Sequence, residues 1–251
     1  MSKKENLESF INLEKLEGLG LEVTIKKIKI NPPERNQSYL VPTNTPLKHL
    51  PQAQQAINYF NYIILNLLKD SDVWIAGGAI RDYLSNGKID FNTDIDLFSY
   101  SRKELCRALL ILRNKASFKP YLITKNAIKG TCTLNKKEYK VDIVKRIFDN
   151  MVDTIENFDF TVTCFALNSV DFVCHPSAPF DLLAKRLVIN SLPFPLSTFQ
   201  RLQKYIKKGY WICNGGMLEI SKSLSKIDFD NPDENTIEFY PNGGLRFVRY
   251  D

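Results

Sequence analysis

Val73-Trp74-Ile75-Ala76 runs directly into Gly77-Gly78 and on through Ala79-Ile80-Arg81-Asp82, and no other stretch restricts the fold so tightly. A short apolar run closed by two glycines reads as a buried strand with a tight turn into a helix. Glycine lacks the Cβ that would keep a ligand from the backbone, so such a turn lets phosphates reach the N–H groups of a helix N-terminus. A polar loop follows, and then Asp94-Ile95-Asp96-Leu97-Phe98. Residues i and i+2 of a strand share a face, roughly 6–7 Å apart. Asp94 and Asp96 therefore present two carboxylates side by side, a geometry that holds one or two Mg²⁺ ions, with Mn²⁺ as the alternative. A phosphate cradle beside a carboxylate pair outlines a phosphoryl-transfer site.

The chain on either side supplies candidate partners. The apolar residues Ala53, Ala56, Ile57, Phe60, Ile63, Ile64, Leu67 and Leu68 recur at helical spacing and lead to the strand at 73–76. Ser101-Arg102-Lys103-Glu104 forms a capping box that starts a helix to about Lys115. Residues 127–133 and 138–145 read as a hairpin joined by Asn135-Lys136-Lys137, with Asp142 on the face opposite Val141 and Ile143. A strand in that position beside 94–98 would make Asp142 a third carboxylate; otherwise it is a surface acid. An apolar block spans 158–167, and helices are expected at 181–185 and 196–208. Toward the termini, the pattern predicts a short helix over 10–18, a strand over 21–30 and a hairpin over 237–248.

Composition removes several alternatives. Five cysteines without a Cys-x-x-Cys pair and only two histidines cannot build a zinc site by spacing, so the cysteines read as reduced core residues. No apolar run approaches the roughly 20 residues of a membrane span, and the charged N-terminus is unlike a signal peptide. The expected location is the cytoplasm, that of a bacterium or of its host if the chain is phage-encoded. A net charge of +6 is compatible with nucleic acid but does not demand it.

Together these motifs resemble the head domain of class II nucleotidyltransferases, the family of CCA-adding enzymes and bacterial poly(A) polymerases within the DNA polymerase β superfamily. Gly77-Gly78-Ala79-Ile80-Arg81-Asp82-Tyr83-Leu84 matches that family's Gly-Gly-x-Val-Arg-Asp-x-Leu, and Asp94-Ile95-Asp96-Leu97 follows in order. Asp159-Phe160-Thr161-Val162-Thr163-Cys164, Asp181-Leu182 with Lys185-Arg186-Leu187, and Pro195-Leu196 through Gly209-Tyr210 resemble later blocks. The resemblance implies an α+β fold, a polymerase-β-like head whose mixed sheet is flanked by helices, with N- and C-terminal additions. It implies a head over 51–212, an extension over 1–50 and another over 213–251. The activity implied is metal-dependent transfer of a nucleoside monophosphate from an NTP, ATP or CTP, to a hydroxyl, with an RNA 3′ end as the favoured acceptor. Asp94, Asp96 and Asp142 would be catalytic metal ligands; Gly77, Gly78, Arg81 and Asp159 would bind the nucleotide, although Arg81 also reads as the ion-pair partner of Asp82.

The departures weigh on the substrate. Two arginines that precede the aspartate in the family are Asn157 and Phe158 here. Family arginines in the helix after Pro195 fall on Ser197, Gln200 and Gln203, with Arg201 and Lys204 adjacent. The family's base-reading Glu-Asp-x-x-Arg segment has no counterpart. Transfer to a protein or small molecule, or a non-catalytic binding or structural role on the same fold, therefore stand as alternatives.

Overall fold

The computed structural model describes residues 11–12, 52–90 and 92–227. The chain enters the described region through α1 (Gln52–Phe60), which continues as a π-helical turn over Asn61–Leu65. Its buried stripe of Ala53, Ala56, Ile57, Phe60, Ile63, Ile64 and Leu68 follows the spacing read from the sequence. β2 (Val73–Ala76) is buried at every position. The α2 helix (Gly78–Asn86) starts directly behind Gly77 and stops at Gly87, whose φ of +70° supplies the left-handed C-cap. β3 (Asp94–Ser99) then leads to α3 (Arg102–Ala116), where the Ser101 side chain accepts from the Glu104 N–H at 3.3 Å. Glu104 reaches on to accept from the Asp72 N–H at 3.0 Å and so fixes the turn that enters β2.

β4 (Lys119–Ile123), β5 (Ala127–Leu134) and β6 (Lys137–Val144) follow, then α4 (Met151–Glu156), a 3-10 turn at Thr161–Thr163, β7 (Phe165–Leu167) and β8 (Phe172–Cys174). With β1 (Ile11–Asn12), these make an eight-stranded sheet among the described residues, in the order β1-β8-β7-β2-β3-β6-β5-β4. β3 and β6 run parallel; every other neighbouring pair is antiparallel. One face carries α1, α2 and α3 over a core that includes Ile75, Ile95, Leu97, Val141 and Ile143. On the other, Trp74, Ala76 and Phe98 pack with Ile155 of α4.

A third cluster closes the fold. It unites Phe160 and Val162 with Leu187 from β9 (Arg186–Leu187), Leu202 and Tyr205 from α6 (Pro195–Lys207), Tyr210, and Ile220 from α7 (Asn214–Leu224). α5 (Ala178–Leu183) precedes β9, which pairs in parallel with β10 (Trp211–Ile212). Two local expectations are corrected. Ile11–Asn12, expected in a helix, pairs antiparallel with Val173–Cys174 as an edge strand, because the exposed side of β8 offers ladder partners that a short isolated helix lacks. The hairpin turn contains two residues, Asn135 and Lys136, both at positive φ, not three. The rest of the expected 10–18 helix, the 21–30 strand and the 237–248 hairpin lie outside the described residues. Cys132, Cys164 and Cys174 are buried, and Cys106 and Cys213 are exposed free thiols.

Candidate active site

The parallel pairing of β3 with β6 decides where the acids stand. Asp96 lies directly opposite Asp142, and Asp94 opposite Lys140. Alternation places Asp94 and Asp96 on the face of Phe98, and Asp142 on that of Val144, which is the α4 side of the sheet. The three carboxylates thus share one face of two adjacent strands. Asp142 is buried, while Asp94 and Asp96 are partly exposed at the strand's leading end. The surroundings push the Asp96 carboxyl up to about 8, through burial first and then through the neighbouring charges of Asp142 and Asp94; Lys129 and Lys204 pull against that shift. Burial also raises Asp142, again opposed by Lys129.

Lys129 is the residue that sequence reasoning passed over. In the hairpin register it faces Asp142 from β5, and its ammonium forms an ion pair with Asp142 Oδ2. Burial lowers the Lys129 pKa, but the hydrogen bond to Asp142 and the fields of Asp142, Asp96 and Asp94 outweigh it and leave the group raised. A two-residue turn at Asn135-Lys136 is the sequence signal that would have placed it.

The glycine turn lies beside Asp96. Gly77 sits at φ +92°, and a Cβ built there would stand 3.5 Å from the Phe158 ring and 3.9 Å from Asp96 Oδ2. Its N–H donates to the Phe165 carbonyl at 2.9 Å, which ties the turn to β7. A Cβ at Gly78 would be 3.7 Å from Arg81 Nη2. Arg81 itself is buried and paired with Asp82 at 2.6 Å, and it donates to the Tyr205 hydroxyl at 3.0 Å. Asp82 also accepts from Thr93 at 3.0 Å and lies 3.5 Å from Lys208. Arg81 therefore pairs with its neighbour Asp82 within α2 and joins that helix to α6 through its hydrogen bond to Tyr205.

Asp159 is buried beside this junction. Its Oδ1 accepts from the Phe160 N–H at 3.0 Å, and its Oδ2 lies 3.1 Å from Arg201 Nε. Asn190 staples the corner, donating to the carbonyls of Ile155, Glu156 and Phe158 at 3.1, 3.2 and 2.9 Å. Arg201, Lys204 and Lys208 follow one another at spacings of three and four, so they line one side of the end of α6. Arg201 pairs with Asp159 and Lys208 with Asp82, while the charge of Lys204 is felt at Asp96 without a direct contact. Tyr205 and Tyr210 belong to the core, and Trp211 is exposed.

Among the described residues, no three acidic, histidine or cysteine side chains already converge as a cation cage. The donor chemistry still suits a hard divalent ion. All three groups offer carboxylate oxygen, Asp142 Oδ1 is buried with no hydrogen-bond partner, and the missing Cβ at Gly77 leaves room beside Asp96. Asp94 and Asp96 are the residues that could hold such an ion, and Lys129 is paired with the third carboxylate, Asp142. Among the described residues, no helix is long and apolar enough to cross a membrane.

A family model described as "Gad2: Gabija anti-defense 2 family protein" matches residues 50–185, more than half of the chain. No curated protein matches the sequence. Among solved structures, a CCA-adding enzyme complexed with ATP superposes with a TM-score of 0.51 at 16% identity, over 71% of this chain and 45% of that one. The CTP complex of a CCA-adding enzyme gives 0.49 at 15% identity, over 71% and 44%. The Thermotoga maritima CCA-adding enzyme complexed with tRNA gives 0.48 at 14%, over 70% and 43%. The chain spans less than half the length of these structures, and the likeness is one of fold: a nucleotidyltransferase-like head with a mixed sheet flanked by helices.

Proposed function

This chain belongs to the Gabija anti-defense 2 family, and from that premise and the geometry of its cleft we propose that it is a divalent-metal-dependent nucleotidyltransferase. It moves a nucleoside monophosphate from an NTP to a hydroxyl, with an RNA 3′ end as the first acceptor to test, and it acts against the Gabija defence that the family's description names. The observation that carries the reading is the register of β3 and β6, which sets Asp96 opposite Asp142 beside the Cβ-free turn at Gly77. ATP in the solved CCA-adding structure of the same fold supports an NTP as donor.

Asp94 and Asp96 hold the divalent ion, Mg²⁺ or Mn²⁺, which when bound supplies Lewis acidity toward the acceptor hydroxyl and the leaving pyrophosphate. Gly77 and Gly78 let the phosphates approach the first-turn N–H groups of α2, which lack intrahelical partners. Lys204, on α6, adds positive charge where the triphosphate lies, and Arg201, 3.1 Å from Asp159 Oδ2, orients that carboxylate toward the ribose. Arg81 holds α2 against α6, so the glycine turn and the basic side chains keep a fixed separation.

A second reading has one observation of its own. The Lys129–Asp142 pair engages a carboxylate that transfer would use, as expected of a head that binds a partner without reacting. Label tracing separates the readings. Purified protein is incubated with Mg²⁺ or Mn²⁺, each α-labelled NTP, total RNA and host lysate. Label in RNA that disappears with Asp96→Asn supports the reading as stated, and label in protein or a small molecule moves the acceptor. Intact NTP binding with no label in any fraction sinks the enzymatic reading.

A further inference from the structure

We propose that Lys129 is a tethered counter-ion that occupies the cation position beside Asp142, and that a divalent ion gains this carboxylate only by displacing the lysine's ammonium. The inference rests on the reading of Asp94, Asp96 and Asp142 as metal ligands and goes beyond it in assigning how the third ligand is withheld.

Three observations carry it. Asp96, Asp142 and Lys129 form one row across β3, β6 and β5, so the lysine arrives on the same face from the next strand. The ammonium bonds only one oxygen of Asp142; the other is buried with no hydrogen-bond partner, the condition of a ligand awaiting a cation. The pair is also asymmetric. The Asp142 side chain is 3% exposed and the Lys129 side chain 29%. Asp142 cannot leave the interior, whereas the lysine's flexible stem can carry its head out past β4, which is exposed along its whole length.

The physical logic is that two adjacent, partly desolvated carboxylates repel one another unless a positive charge sits beside them. Lys129 supplies that charge in the absence of metal, which keeps the strands in register while the cleft is empty. The same service makes it a competitor for the ion. It would restrict full metal loading to the moment when nucleotide phosphates bring a second divalent ion and draw the ammonium away.

The test is Mn²⁺ binding by calorimetry to the full chain without nucleotide, in wild type, Lys129→Met and Lys129→Arg. Replacing lysine with methionine removes the competing charge, and Mn²⁺ affinity should rise on the order of tenfold or more. Arginine keeps the charge, and affinity should stay within about threefold of wild type. In an Asp142→Asn background the Lys129→Met effect should fall below about twofold, since the competition is for that carboxylate. A thermal melt gives a second readout: Lys129→Met should melt below wild type in chelator and gain more from Mn²⁺. Equal affinities in wild type and Lys129→Met, with binding abolished by Asp96→Asn, overturn this inference and leave the metal reading standing. A methionine effect that persists unchanged with Asp142→Asn also overturns it. Absence of Mn²⁺ binding in Lys129→Met overturns both.

Discussion

At the scale of single residues, the turn at Gly77 is the most exposed to substitution. Its φ of +92° with ψ of −135° lies where a side chain is strained whatever the space around it. Gly77→Ala is expected to cost about 1–3 kcal/mol in chemical denaturation through this backbone strain, with weaker NTP binding as the turn shifts beside Asp96. Asp159 offers a second case. Arg201→Ala leaves its buried carboxylate without the cation at 3.1 Å and should destabilise the fold by about 1–3 kcal/mol, with Arg201→Lys recovering part of that. Much at this scale was legible in the sequence: strand parity alone puts Asp94 and Asp96 on one face. Lys129 was not, because its position depends on turn length. A three-residue turn would set Gly130 opposite Asp142; the two-residue turn sets Lys129 there. Arg201 stood in plain view beside a family position, but only the wrap of α6 around Phe160 shows that it reaches Asp159.

At the scale of elements, the β5–β6 hairpin carries the third acid and its lysine, so its packing governs the site. Gly130, next to Lys129, accommodates Phe118 from the strand edge: a Cβ there would fall 2.8 Å from the Lys119 carbonyl oxygen and closer still to the Phe118 ring. Because the Phe118 side chain is itself buried, it cannot simply turn away. Gly130→Ala should destabilise by on the order of 2 kcal/mol and shift the β4–β5 register, visible as faster amide exchange along β5. The corner after β8 gives a pH prediction. Burial lowers the pKa of His175 to about 4, against an ordinary value of 6.5. The unfolded chain takes up that proton first as pH falls, so the stability is present above 6.5 and is lost as pH drops toward 4. For a partly exposed imidazole the loss is roughly 1–2 kcal/mol, and His175→Gln should flatten that part of the stability–pH curve. The helices α1, α3 and α6 follow their sequence patterns closely, since amphipathic spacing and caps are local signals. The strand at Ile11–Asn12 does not, because its ladder partner lies at Val173–Cys174, far along the chain.

At the scale of the whole molecule, the sheet order brings together segments that the sequence keeps apart. β2 and β3 are neighbours in both sequence and space, but β7 pairs with β2 from some 90 residues on, and so brings the 158–164 block to the glycine turn. The motif order made this arrangement predictable from the resemblance, and the solved CCA-adding structure with ATP shares the fold. The acceptor is less legible, because the chain departs from the CCA-adding pattern around the site: Asn157 and Phe158 stand where that family carries arginines, and Arg201 and Lys204 fall beside its arginine positions in α6. The fold is thus that of a nucleotidyltransferase-like head, in a family whose description concerns counter-defence. The most direct measurement is pyrophosphate release from each of the four NTPs, with divalent metal and RNA, by wild type and Asp96→Asn in parallel. Loss of one metal ligand removes several kcal/mol of transition-state stabilisation, so release should fall by on the order of 10³-fold in the variant. Release that is equal in the two proteins, or undetectable in wild type with every NTP and metal, would contradict the assignment of this cleft to nucleotidyl transfer.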